Sequence, residues 1–292
     1  MPAVLHLEDG RRVGVAEWGA PSGWPVLVAH GTPGSALWRP TGPSLARLEG
    51  LGVRLITMSR PGYGASDRLP GRTVASWAAD AAGALALVGA SGPIGVLGVS
   101  GGGPHALACA ARVPGVTAVS VLAGAGDLRD EAAFVGMAPA SAAVWRSAFE
   151  EGGALEVMIG RISAGMQRRP PEEVATSVLT QFPASLVDAM TADPQLARMM
   201  VDDLVEAFAG GGLGWLDDAR AFRSAWGFDL AELSVPVQLV HGAADEFVPL
   251  HQAEQLARAI PDATCIVGAG AGHVDTVADR FDDAIDWLLA QR

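Results

Sequence analysis

The sequence predicts an α/β protein: a mostly parallel sheet with helices on both faces, interrupted once by a helical stretch. Three observations carry this. Short apolar runs ending in glycine-rich turns recur between residues 26 and 122 and again from residue 235, as strands buried on both faces do. Helical spacing fills the gaps between them, as in Val74, Trp77, Ala81, Leu85 and Val88. From about Asp127 to Asp229 strand-like runs vanish and helical periodicity takes over.

Taken in order, residues 3 to 18 alternate apolar and polar around Asp9-Gly10 and predict an opening β-hairpin. Val26–Ala29 is a short apolar strand that ends in His30-Gly31-Thr32-Pro33-Gly34-Ser35, and a further strand ends in Ser59-Arg60-Pro61-Gly62-Tyr63-Gly64. Ile94–Val99 is a buried strand, followed by Gly98-Val99-Ser100-Gly101-Gly102 and a small-residue helix from about Pro104. Val116–Leu122 is the next strand and closes at Gly124-Ala125-Gly126-Asp127. In the helical stretch, Pro170-Pro171, Pro183, Pro194 and Gly210-Gly211-Gly212 punctuate four or five helices. Six of the eight methionines lie there (Met137, Met158, Met166, Met190, Met199, Met200), with Trp145, Phe149, Phe182, Phe208 and Trp215. These side chains either line an adaptable apolar pocket or pack the helices together. Strands resume at Val235–Val240 and Ala263–Val267, flanking a helix over Leu250–Ile260, and Val274, Val277, Phe281, Ile285 and Leu288 mark a terminal amphipathic helix.

Composition excludes several chemistries. About half of the 292 residues are apolar, and the formal charge is −12, which argues against a nucleic-acid or anionic-membrane surface. All 20 basic residues are arginine. Without lysine there is no Schiff base, no pyridoxal anchor, no Walker A loop and no Ser-Lys dyad. Asparagine is also absent, so no side-chain amide of that type orients a histidine or holds an oxyanion. Cys109 and Cys265 read as buried, reduced thiols. No His/Cys cluster has metal-ligand spacing, and no metal or organic cofactor is expected. The N-terminal dozen mixes charges without an apolar core behind them, which is neither a signal peptide nor an anchor. A cytoplasmic protein is the expectation.

Strand, tight turn and helix around Ser100 is the setting in which G-x-S-x-G presents a nucleophile. The turn is so tight that flanking side chains would collide, so glycines stand there and Ser100 takes a strained backbone. Read by itself, the same stretch is also a glycine-rich turn with an ordinary serine, or a phosphate loop.

With HGTPGS after one strand, SRPGYGAS after the next and GVSGGG after the third, the chain resembles the α/β-hydrolase family, in the branch with an H-G-x-P oxyanion loop. The resemblance implies an eight-stranded, mostly parallel sheet over residues 1–126 and 230–292, with residues 127–229 as a helical cap. It implies Ser100 as nucleophile, and Thr32 and Gly101 as backbone donors to an oxyanion. Similarity to the family's G-x-x-D-x-x-x-P loop implies Asp245 as the acid, with Asp127, also past a strand end, as the second candidate. A glycine-rich loop presenting His273 after the last strand implies that residue as the base. The chain order Ser, Asp, His is that of the family. His30 reads as a brace of its loop, and Ser59 stands where relatives carry an aspartate, which questions local bracing.

The implied activity is hydrolysis of a small to medium apolar carboxylic ester through an acyl-enzyme. Dehalogenases and epoxide hydrolases of the family place aspartate at the elbow and are disfavoured. Proline-iminopeptidase-like amidases, C–C bond hydrolases, thioesterases and perhydrolases remain, as does a binding protein with negligible turnover. An aminopeptidase would need carboxylates over the site, for which Glu150, Glu151, Glu156, Glu172 and Glu173 are candidates.

Overall fold

The computed structural model describes residues 1–180 and 184–292. The first residues form the expected hairpin, β1 (Ala3–His6) and β2 (Arg12–Gly19), turning at Gly10 with φ 83°. β3 (Trp24–Ala29), α1 (Gly42–Gly50), β4 (Val53–Met58), α2 (Ser76–Leu87), β5 (Ile94–Val99), α3 (Gly103–Arg112) and β6 (Val116–Leu122) follow. The sheet resumes with β7 (Val237–Gly242). Pro236 lacks the amide proton a ladder needs, so this strand starts two residues later than the apolar run suggests.

The eight strands form one sheet in the order β1-β2-β4-β3-β5-β6-β7 and a last strand, β8 (Ala263–Gly268). The β1–β2 and β2–β4 pairs are antiparallel and all others parallel. Along β3, Val26 and Val28 enter the core under α1 and α11 (His273–Ala290), whereas Leu27 and Ala29 enter the core under α2 and α3. That alternation is the two-residue period of a strand covered on both faces. α10, which spans Leu250–Ala259, joins the second face through Leu256.

Between β6 and β7 the chain is helical, with α4 (Pro139–Arg146), α5 (Ala154–Arg168), α6 (Pro171–Leu179), α7 (Ala184–Ala192), α8 (Pro194–Ala207) and α9 (Leu213–Phe222). Proline stands in the first turn of α4, α6 and α8, where its missing amide proton costs nothing. These six helices among the described residues exceed the four or five expected. The surplus is in short helices of two or so turns, which leave little periodicity to read.

Most residues singled out for a pocket serve packing instead. Leu155, Ile159, Leu204, Phe208 and Trp215 form the insertion's own core, and Met158, Met166 and Met190 pack against it. Met137 belongs to the main core and Phe149 is exposed. Phe182 and Pro183 lie outside the described residues. Cys109 is buried, but Cys265, on the edge strand β8, is only half-buried, and both are free thiols. Among the described residues no helix is long and apolar enough to cross a membrane.

Parallel pairing brings the carboxyl ends of β3, β5, β6, β7 and β8 to one edge of the sheet. Loops leaving that edge carry residues 30–35, 100–103, 123–127, 243–249 and 269–273, which is where a doubly wound sheet gathers its functional groups.

Candidate active site

Ser100 follows β5 directly and has φ 52°, a left-handed conformation that costs a residue with a Cβ about 1–2 kcal/mol. The turn is packed so closely that glycine is required on both sides of the serine. A Cβ on Gly98 would stand 2.8 Å from the Ala106 Cβ, and one on Gly102 would stand 1.9 Å from the Ala29 carbonyl oxygen. α3 starts three residues on, so its positive N-terminal end lies beneath the serine.

His273, the first residue of α11, reaches Ser100. Its Nε2 lies 3.0 Å from Ser100 Oγ, and its Nδ1 lies 2.7 Å from Asp245 Oδ2. Asp245 sits in the turn after β7, where its Oδ1 accepts the amides of Phe247 and Val248, both at 2.9 Å. Burial by itself would raise the Asp245 carboxyl. The adjoining His273, through its charge and its hydrogen bond, and the Val248 amide outweigh that and hold it below the ordinary value. Phe247 packs on the imidazole at 5.3 Å between ring centres. Asp127 is elsewhere engaged: both of its oxygens are held by the Arg129 side chain. Glu246 points to solvent.

The loop after β3 runs past the serine. A Cβ on Gly101 would lie 3.3 Å from the Thr32 amide nitrogen and would collide with Thr32 Oγ1, so these two backbones are in direct apposition. Among the described residues the Thr32 amide has no acceptor. His30 braces the loop as expected: its Nδ1 donates to the Gly31 carbonyl (2.7 Å) and its Nε2 accepts the Arg60 amide (3.1 Å). Burial, then the Arg60 charge, holds His30 well below the ordinary histidine value, so it is neutral. Ser59 braces too, accepting the Ala36 amide at 2.8 Å.

Sequence reasoning missed the group that ties this loop to the insertion. Asp218 of α9 is fully buried and accepts from Arg60 Nη2 (2.7 Å), Arg72 Nη2 (2.6 Å), Tyr63 Oη (2.8 Å) and Thr32 Oγ1 (2.9 Å). Arg60 also donates to the carbonyls of His30 and Gly31. Burial favours the neutral carboxyl, but Arg60 and Arg72 outweigh it and keep Asp218 well below the ordinary range. His105 of α3 donates from Nδ1 to the Gly101 carbonyl at 3.1 Å and stands 3.7 Å from Asp218. One carboxylate thus faces both the Thr32 and the Gly101 sides of the site. No spacing signals it, because Arg60, Arg72 and Asp218 are far apart in the chain. His241 was missed as well: it is the last residue but one of β7, donates to the Val248 carbonyl at 2.7 Å and lies 3.4 Å from Asp245.

Ser100 and His273 open into a cavity of about 390 Å³. Its wall is largely apolar, with Trp38, Trp145, Leu179, Leu186, Met199, Met200, Phe247 and Phe281, and its charged members are Arg39, Asp193 and Asp203. The glutamates offered for an amine lie outside it: Glu150, Glu151, Glu172 and Glu173 are exposed, and Glu156 accepts the Gly152 amide. The arrangement suits nucleophilic attack on an acyl carbon, with two backbone amides beside the nucleophile and an apolar chamber above it.

The sequence profile of the alpha/beta hydrolase fold family matches residues 25–277. No curated protein matches the chain in sequence. Among solved structures, an alpha/beta hydrolase fold protein from Nakamurella multipartita superposes with a TM-score of 0.67 at 23% identity, covering 100% of this chain and 99% of that one. An enol-lactonase from Burkholderia xenovorans gives a TM-score of 0.69 at 20% identity, covering 99% and 100%. A thermophilic esterase from Thermogutta terrifontis gives 0.64 at 21%, covering 99% and 98%. At these identities the likeness is one of fold.

Proposed function

The chain belongs to the alpha/beta hydrolase fold family, and from that premise we propose that it is a serine hydrolase cleaving small to medium apolar carboxylic esters through an acyl-enzyme. The observation that carries this reading is the continuous hydrogen-bonded chain from Asp245 through His273 to Ser100, opening into an apolar cavity.

Ser100 Oγ attacks the acyl carbon as His273 Nε2 takes its proton. Asp245 holds the tautomer with the proton on Nδ1 and stabilises the imidazolium as it forms. The amides of Thr32 and Gly101 receive the oxyanion; losing one such donor costs about 3–4 kcal/mol of transition-state stabilisation. The imidazolium then protonates the leaving alcohol. Water, deprotonated by the same histidine, attacks the acyl-enzyme and regenerates Ser100. No step requires a metal or organic cofactor. Residues 127–229 act as the cap, whose Met199, Met200 and Leu186 form the roof against which the acyl or alkoxy chain packs.

The enol-lactonase and the esterase among the similar structures favour this bond type over amide or C–C cleavage, as does the apolar wall. The test is turnover of p-nitrophenyl esters of stepped acyl length by the wild type and Ser100→Ala. Many product equivalents per chain, abolished in the variant, support the reading. One equivalent or none from folded protein would move a binding protein to the front.

A further inference from the structure

Asp203 is a buried carboxylate in the cavity wall with half of its hydrogen bonding unmade. It stands on α8 at 8% exposure. Its Oδ1 accepts both the Ser35 amide (2.8 Å) and the Ser35 hydroxyl (2.6 Å). Among the described residues nothing donates to Oδ2, and no cation pairs with the carboxylate. The two guanidiniums whose charges reach it are committed elsewhere. Arg60 is held by Asp218, and Arg39 donates to the Leu37 carbonyl and stacks over the Trp18 ring at 4.7 Å. A buried carboxylate left so is expensive unless something else donates to it.

The cavity supplies the place for that donor. Asp203 lines the same chamber as Ser100 and His273. Asp193, at the start of α8, adds a second carboxylate there, itself bonded to the Gln195 amide and the Thr41 hydroxyl. Once Asp203 ionises, it and Asp193 outnumber the one guanidinium of Arg39 in the wall of this apolar chamber, which favours a cation over a neutral hydroxyl. Burial pushes the Asp203 carboxyl up to about 7 against the opposing pull of Ser35, Arg60 and Arg39, so an arriving ammonium would find a group that ionises on contact.

We propose that Asp203 is a specificity-determining residue that receives an ammonium group on the substrate, so that the preferred substrates are esters carrying a protonated amine on an otherwise apolar chain. This rests on Ser100 being the nucleophile. The ester chain runs along Met199 and Met200 while the ammonium donates to Asp203 Oδ2.

The experiment compares methyl esters of ω-amino acids of stepped length with methyl esters of fatty acids of the same length, for the wild type and Asp203→Asn. Asparagine retains an oxygen for Ser35, removes the charge and puts an NH2 donor in place of the Oδ2 acceptor. Hexylammonium and hexanol binding to both proteins, measured by calorimetry, gives a readout independent of turnover. The expected result is a wild-type kcat/KM ratio favouring one amino ester over its neutral partner by about tenfold to a hundredfold, carried mainly by KM. In Asp203→Asn the ratio collapses towards one, and hexylammonium loses its advantage over hexanol. Because the ratio is internal to each protein, a general loss of rate in the variant does not affect it. A ratio unchanged by the substitution, or hexanol binding the wild type as well as hexylammonium, would overturn the assignment. If neither ester turns over, the hydrolase reading fails, and the hexylammonium comparison alone decides whether Asp203 binds the cation.

Discussion

Asp218 and Asp203 stand on consecutive helices of the insertion, both buried, and both grip the loop from Gly31 to Ser35, one at Thr32 and the other at Ser35. Their surroundings differ in one respect. Asp218 faces two arginines and a tyrosine and stays ionised, whereas Asp203 bonds only to Ser35, feels Arg60 and Arg39 at a distance and is pushed up to about 7. Both are buried, Asp218 slightly the deeper; the cations in direct contact decide. Asp218 therefore locks the loop, and Asp203 is left with capacity for something that enters the cavity.

The comparison breaks most readily at Asp218. Replacing it by alanine leaves Arg60 and Arg72 buried without a counter-charge, and the expected loss of stability in urea denaturation is about 3–5 kcal/mol. A loss below about 1 kcal/mol would mean that the cluster is not the lock described.

Asp203 sharpens the contrast through pH. Its folded pKa lies above the ordinary 3.8, at about 7, so in that window the folded state holds a proton that the unfolded state has released. Its contribution therefore destabilises the fold as pH rises from about 4 to 7 and levels off above, by a few kcal/mol at most. Asp203→Asn lacks this slope. Denaturation midpoints of both proteins across that range check the prediction, and parallel curves would contradict it.

The smallest effect is at the point where the lock meets the site. Thr32→Val keeps the backbone amide and removes the hydroxyl that bonds Asp218. The expected outcome is a fall in ester kcat of about tenfold with KM little changed, because the amide's aim loosens while the cavity wall is untouched. An equal rise in KM with constant kcat would place the hydroxyl in ground-state binding instead.

Much of the sheet was legible because its signals are local. Gly98, Gly101 and Gly102 around Ser100 announce a turn in which no Cβ fits, and the apolar runs of β3, β5 and β6 are buried on both faces and read as such. Resemblance to the family, carried by motifs at strand ends, implied Ser100, Asp245, His273 and Thr32. The insertion was read poorly. Short helices such as α4 and α7 carry little periodicity, and the same methionines serve equally for packing or for a pocket until neighbours are known. Met199 and Met200 line the cavity, whereas Met158 and Met166 do not. The Asp218 cluster was invisible for a different reason: an aspartate on an amphipathic helix reads as solvated, and only tertiary structure brings it to Arg60 and Arg72. Asp203 was hidden in the same way.

The central claim is that Ser100 is an activated nucleophile, and labelling with a fluorophosphonate probe followed by peptide mapping tests it most directly. The account predicts rapid modification confined to Ser100 in the wild type, none in Ser100→Ala, strong slowing in Asp245→Asn and little change in Asp127→Asn. Modification that persists in Ser100→Ala, or none at all in folded wild type, would contradict it.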